Sequence, residues 1–285
     1  MLSNKKVKKR RLSDSPHVVT YIDILGFREL VQEKSPAVIS RAIRHVKDIT
    51  VPEADKLRFD KENYVNFSDL IVHTIPVLSK SNQSRPRGIV SHEIRYMAMV
   101  QAVLIEKGLL LRGAISVGKI ERSYGVLFGP GLISAYELER DQAKYPRIIL
   151  DEQLMAALRS DHLLRHRHRD YGEEMKFVSS AIKRDDDDVI FIDYLGFMQT
   201  VLKNQKSSYH GLVETHKNLI EMNIAKFQEN KRVLSKYLWL RKYHNAVVHA
   251  KIEQEFRKEF FVREPGDDSD VLPLTGRFSL GSKKN

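Results

Sequence analysis

Cysteine is absent from the 285 residues. With it go disulfides, thiol nucleophiles and thiolate metal sites, and a chain without them fits a reducing compartment. No apolar run approaches the ~18 residues of a membrane span. The basic N-terminus lacks the apolar stretch of a signal peptide. The expectation is a cytoplasmic protein with no membrane partner. Hydrophobic residues at 42% and charged residues at 30% are the mix of a soluble globular protein. The length suits one large domain, or a catalytic core with an added subdomain.

Acidic residues are outnumbered, and the net charge is +11. Such a balance invites a nucleic-acid reading, but its distribution argues against it. Lys5, Lys6, Lys8, Lys9, Arg10 and Arg11 precede the first acid, and the rest of the chain carries only +5. A run of this kind reads as a solvated, disordered tail over residues 1–15, so a nucleic-acid partner is not expected.

His17 to Ile24 reads as a buried strand, β-branched and apolar up to one acid. Glu29 to Ile49 has helical spacing, with Pro36 near its start or interrupting it. Tyr64 to Pro76 reads as two strands around Ser68-Asp69, and Asn82 to Gly88 as a polar loop. His92 to Lys107 is helical, with Gly108 as its C-cap. Leu109 to Gly118 and Gly125 to Phe128 read as strands, Leu132 to Gln142 as a helix, and Arg147 to Leu150 as a strand before another short helix. This alternation predicts an α/β (α+β) domain, one sheet with helices against it, over residues 16–160. A C-terminal extension over 161–262 adds a strand at Val189 to Leu195 and two long amphipathic helices, expected as a hairpin packed on the sheet or on a second subunit. Residues 263–285 lack periodicity and read as a disordered tail.

Two aspartates stand where solvated ones are not expected. Asp23 ends the buried strand within Tyr21-Ile22-Asp23-Ile24-Leu25-Gly26-Phe27, and Asp69 sits at the apex of the hairpin. A strand entering a tight Gly turn and then a helix makes an anion site. Its backbone N–H groups from Ile24 to Arg28 would face a phosphate, and Gly26 would allow close approach. If Asp23 and Asp69 lie side by side they need cations, and hard ions with oxygen ligands, Mg²⁺ or Mn²⁺, fit them. Read singly, each aspartate has an ordinary structural alternative.

The motif containing Asp23 resembles that of the class III nucleotidyl cyclases, whose first metal aspartate lies in Phe-x-Asp-Ile-x-Gly-Phe. Ser68-Asp69 resembles their second metal aspartate in its hairpin. Leu111-Arg112-Gly113-Ala114-Ile115-Ser116-Val117-Gly118 is similar to their next strand. Phe128-Gly129 and Leu138-Glu139 flank a helix like their dimerisation-side helix. Four motifs in order cover about residues 17–151. The resemblance implies a class III cyclase, ferredoxin-like sheet. It implies two Mn²⁺ or Mg²⁺ ions per site on Asp23, Asp69 and the Ile24 carbonyl, and a homodimer with active sites at its interface.

The departures narrow the reading. The positions of the usual transition-state Asn and Arg are Ile133 and Glu137, and that of the purine-reading Lys or Glu is Val65. Gly129-Pro130-Gly131-Leu132 through Leu138-Glu139, the hairpin from Tyr64, and the extension with Asp187-Asp188-Val189-Ile190-Phe191 resemble the pyrimidine cyclases of Pycsar antiphage defence. That resemblance spans about residues 17–258. It implies conversion of UTP, with CTP second, to a cyclic nucleotide that activates a downstream effector. Asp23, Asp69 and Arg112 would be catalytic, with a charged edge residue held by a neighbouring acid as the alternative for Arg112. Ile24, Gly26, Phe27, Tyr64 and Arg112 would bind nucleotide, with Tyr64 stacking on the base. The rivals are a purine cyclase and a non-catalytic nucleotide- or nucleic-acid-binding module.

Other features have bland readings. Phe191 to Phe197 echoes the Asp23 motif but has no partner hairpin, so it reads as a structural strand. Asp185 to Asp188 reads as a solvated loop. His162 and His166 have i, i+4 spacing without a third ligand, so zinc is not expected.

Overall fold

The computed structural model describes residues 15–50, 64–78, 88–124 and 126–263. The two expected tails and the 82–88 loop lie almost wholly outside them. The expected α/β architecture is present. Strand β1 (His17–Leu25) leads into helices α1 (Phe27–Glu33) and α2 (Pro36–Thr50). Pro36 opens α2, where its missing N–H costs nothing, so of the two expectations the proline interrupts the helical stretch. β2 (Tyr64–Phe67) and β3 (Leu70–Pro76) form the hairpin, followed by α3 (Ile89–Ile105) and β4 (Leu110–Gly118). The strand order β2-β3-β1-β4, with β1 antiparallel to both neighbours, is that of a ferredoxin-like βαββαβ unit.

A small ribbon, β5 (Glu121–Ser123) and β6 (Val126–Phe128), then α4 (Pro130–Asp141), β7 (Ile148–Leu150) and α5 (Glu152–Ser160) complete the first half. β7 pairs parallel to β4 and carries the sheet onward. The second half contributes α6 (Tyr171–Ser179), β8 (Ile182–Arg184), β9 (Ile190–Ile192), α7 (Tyr194–Val201), α8 (Lys206–Lys226), α9 (Lys231–Lys251) and the short α10 (Arg257–Phe260). β9 and β8 extend the sheet to seven strands. α6 and β8 have too short a pattern to stand out in the sequence.

Alternation along β1 divides the core. Val18, Ile22 and Ile24 face the layer of α3, α7 and the α8–α9 hairpin, while Val19 and Tyr21 face α4. α3 is buried on nearly every side because the sheet, α6, α7 and α8 all pack on it. The predicted hairpin is confirmed, and it packs on α3 and α7 of its own chain.

Two sequence expectations need correction. The strand expected over Val189 to Leu195 ends at Ile192. Asp193 accepts a hydrogen bond from the Gly196 N–H at 3.2 Å and so caps α7, which contains the rest of the echo motif. Its carboxylate also accepts from the Tyr243 hydroxyl at 2.9 Å and pairs with Lys183 at 3.2 Å. The Asp185 to Asp188 segment is solvated at Asp186, Asp187 and Asp188, which are exposed, but not at Asp185. Asp185 is buried and takes both the fully buried Arg147 guanidinium and the Trp239 Nε1–H, the latter at 2.6 Å. A buried arginine requires such pairing.

Candidate active site

β1 presents Asp23 on the α4 face, in register with Arg112 of β4. The β2–β3 hairpin closes through Ser68 and Asp69 alone, since Phe67 pairs with Leu70. Ser68 has φ 57°, a left-handed conformation that Gly would adopt more easily. The turn therefore carries backbone strain where it presents Asp69.

The Asp69 carboxyl lies close enough to Asp23 to act on its charge. Arg112 Nη2 donates to Asp23 Oδ2 at 3.1 Å, and the same nitrogen pairs with Glu139 of α4. Burial, then Asp69, pushes the Asp23 carboxyl up to about 7 against the opposing pull of Arg112. Burial also raises Glu139, again opposed by Arg112. The Tyr21 hydroxyl is pushed up to about 12 by burial and by the charges of Glu139, Tyr136, Asp23 and Asp69. All of these groups therefore share one electronegative field on one face of the sheet.

α4 lies flat on that face because glycines allow it. A Cβ on Gly118 would lie 2.6 Å from the Gly131 Cα, and one on Gly131 would lie 3.0 Å from Gly118. Ser116 adds a hydrogen bond to the Gly131 carbonyl at 2.9 Å. The Gly-Pro-Gly motif is thus a docking surface that brings Glu139 to Arg112. Tyr136 meets Tyr21 edge-to-face at 5.8 Å.

The other expected residues are distributed as follows. Gly26, at φ 79°, turns the chain from β1 into α1, which a side chain would oppose. Ile24 is buried against the opposite core, so only its backbone can serve the site. Phe27 begins α1 and packs on the main core. Tyr64 opens β2, and its side chain lies outside the described residues. Val65 packs on the small core beneath α4. Ile133 and Glu137 are exposed on α4.

Sequence reading missed two groups of this site. Glu139 was visible as the end of the Leu-Glu motif, but its pairing with Arg112 was not. Lys236 comes from α9 and adds its charge to those acting on Glu139; no local motif marks it.

No family model and no curated protein matches the chain. Among solved structures, the adenylyl cyclase CyaB from P. aeruginosa aligns at 13% identity over 62% of this chain and 93% of that one, with a TM-score of 0.39. The monomeric guanylyl cyclase domain of the RhoGC fusion protein from the aquatic fungus Blastocladiella emersonii aligns at 13% identity over 62% and 93%, with a TM-score of 0.37.

Proposed function

We propose that the protein is a nucleotide cyclase acting on a pyrimidine ribonucleoside triphosphate, UTP before CTP. The reading rests on one observation above all: Arg112 ties Asp23 to Glu139, and Asp69, far from Asp23 in the chain, brings its charge to bear on the same Asp23 carboxyl. Neighbouring carboxyls that oppose one another's charge are short of positive charge, and such an oxygen-donor set fits Mg²⁺ or Mn²⁺. Asp23, Asp69 and the Ile24 carbonyl would hold two ions. Among the described residues no group of three or more His, Cys, Asp or Glu is placed to hold a metal. Water and substrate oxygens would therefore complete the coordination. When bound, such ions ease ionisation of the attacking hydroxyl and neutralise phosphate charge.

The ribose 3′-oxygen attacks the α-phosphorus and loses its proton to water. The bond from that phosphorus to the bridging oxygen breaks, and pyrophosphate leaves with the electron pair. Arg112, locked between Asp23 and Glu139, keeps a fixed positive charge beside the reacting phosphate. Apolar Val65 leaves no polar side chain at the position where a purine edge would be read, which favours a one-ring base with Tyr64 against it. A second copy of the chain would cover Tyr124, Val126, Phe128 and Ile133, exposed apolar residues on β5–β6 and α4. In this reading residues 16–160 are the cyclase core, 161–262 its extension, and the cyclic product is the second messenger to an antiphage effector.

The test is incubation with each of the four ribonucleoside triphosphates and Mn²⁺, with products identified by mass spectrometry. Cyclic UMP is expected to dominate, with cyclic CMP second. Preference for ATP or GTP would remove the pyrimidine assignment and leave the cyclase. Exposed Ile133 and Glu137, in place of the Asn and Arg of the resembled family, favour a non-catalytic nucleotide-binding module as the second reading. Triphosphate binding without any cyclic product is its signature.

A further inference from the structure

The α8–α9 hairpin closes a cavity of about 370 Å³ against the β1–α1 turn, with Ile24, Gly26, Leu109, Phe227 and Tyr237 in its walls. Its charged residues are Glu29, Glu33, Lys34, Lys226 and Lys236. Lys226 is held by Glu33 at 2.8 Å. Lys236, half-buried, has no hydrogen bond or ion pair among the described residues. The charges acting on it are those of Arg112, Arg232, Glu29 and Asp23, and it acts on Glu139 in turn. It therefore belongs electrostatically to the candidate active site, although it arises from the C-terminal extension.

Keeping an ammonium half-buried without a partner is unfavourable. Burial and the neighbouring Arg112 and Arg232 push its pKa down. Lys236 thus stands unpaired among the described residues in a cavity that reaches the Ile24–Gly26 turn, a place that is short of an anion. The polyphosphate end of a nucleoside triphosphate has the charge and the oxygen acceptors to satisfy it. We propose that Lys236 is a substrate-binding residue whose ammonium takes the polyphosphate of the nucleoside triphosphate, so that the C-terminal hairpin completes the active site. This deepens the cyclase reading and rests on it.

The test is calorimetric titration of the full chain with Mg²⁺-pyrophosphate and with uridine, beside the cyclisation assay. Lys236→Gln is expected to weaken pyrophosphate binding about tenfold or more, the scale of a lost charged hydrogen bond, and to leave uridine binding unchanged. Lys236→Arg should recover most of the affinity, and Lys226→Gln should match wild type. A merely structural lysine would lower the melting temperature when replaced. A phosphate ligand crowded by Arg112 and Arg232 should leave it equal or raise it. Lys236→Met, which retains the apolar stem, gives the same reading if the Gln variant folds poorly. Pyrophosphate binding by both variants as tight as wild type, with wild type still making cyclic nucleotide, overturns the role of Lys236 alone. Wild-type protein that binds neither pyrophosphate nor any triphosphate overturns the cyclase reading with it.

Discussion

Asp69 opposes the charge of Asp23 and helps to push its carboxyl up. Replacing either by Asn keeps a polar partner and removes the repulsion. Asp23→Asn and Asp69→Asn should each lower turnover about a thousandfold, while raising the melting temperature of chelator-treated protein by a few degrees. The sign of the pH effect follows from the raised Asp23. From about pH 4 to about 7 the folded state keeps a proton that the unfolded chain has lost, so this group's stabilisation declines as pH rises through that window. Melting curves of wild type and Asp23→Asn across that range check both statements, and a variant that remains active defeats the site assignment.

The α8–α9 hairpin carries a buried polar chain whose proton positions can be deduced. His244 Nε2 lies 2.7 Å from the Phe260 carbonyl and must donate to it. His244 Nδ1 therefore accepts from His216 Nδ1–H at 2.8 Å, and His216 Nε2 accepts from the Tyr194 hydroxyl at 2.9 Å. Every group is satisfied only while both rings are neutral. Burial lowers His216 well below the ordinary value and His244 to about 4. The unfolded chain takes up protons from about pH 6.5 downward, and the folded state resists. Stability from this pair is therefore complete above 6.5 and lost as pH falls towards 4, by on the order of 1.4 kcal/mol per pH unit for each ring. This runs opposite to Asp23. A His216→Phe, His244→Leu double variant should flatten the acid limb in urea titrations at pH 4.5 and 7, and an unchanged limb would refute the neutral-pair assignment. The hairpin helices were legible from their amphipathic spacing. The histidine pairing was not, because it joins residues 28 positions apart on separate helices.

As a molecule, the chain leaves an apolar surface beside its candidate active site. Phe128→Glu and Ile133→Glu place charges on β6 and α4 without touching the core, since both side chains are exposed. Each should convert a dimer to a monomer in light scattering and lower turnover at least tenfold, because burying an unpaired charge in an interface costs several kcal/mol. A wild-type monomer with full turnover would refute the dimer. Among the described residues, no helix is long and apolar enough to cross a membrane.

Short-range physics made β1, the β2–β3 hairpin, α3 and both hairpin helices readable in advance: apolar periodicity, turn chemistry and caps act within a single element. Asp23, Asp69 and Arg112 were singled out by the resemblance that their local motifs carry. Their meeting, the pairing of Arg112 with Glu139, the approach of Lys236 and the burial of Asp185 on Arg147 were decided by strand register and helix packing. These bring together residues separated by tens to hundreds of positions, and such contacts depend on which faces can be buried together. A charged residue such as Asp185 reads as solvated until its buried partner is known, because burial of charge is favourable only where the whole fold supplies the opposite charge.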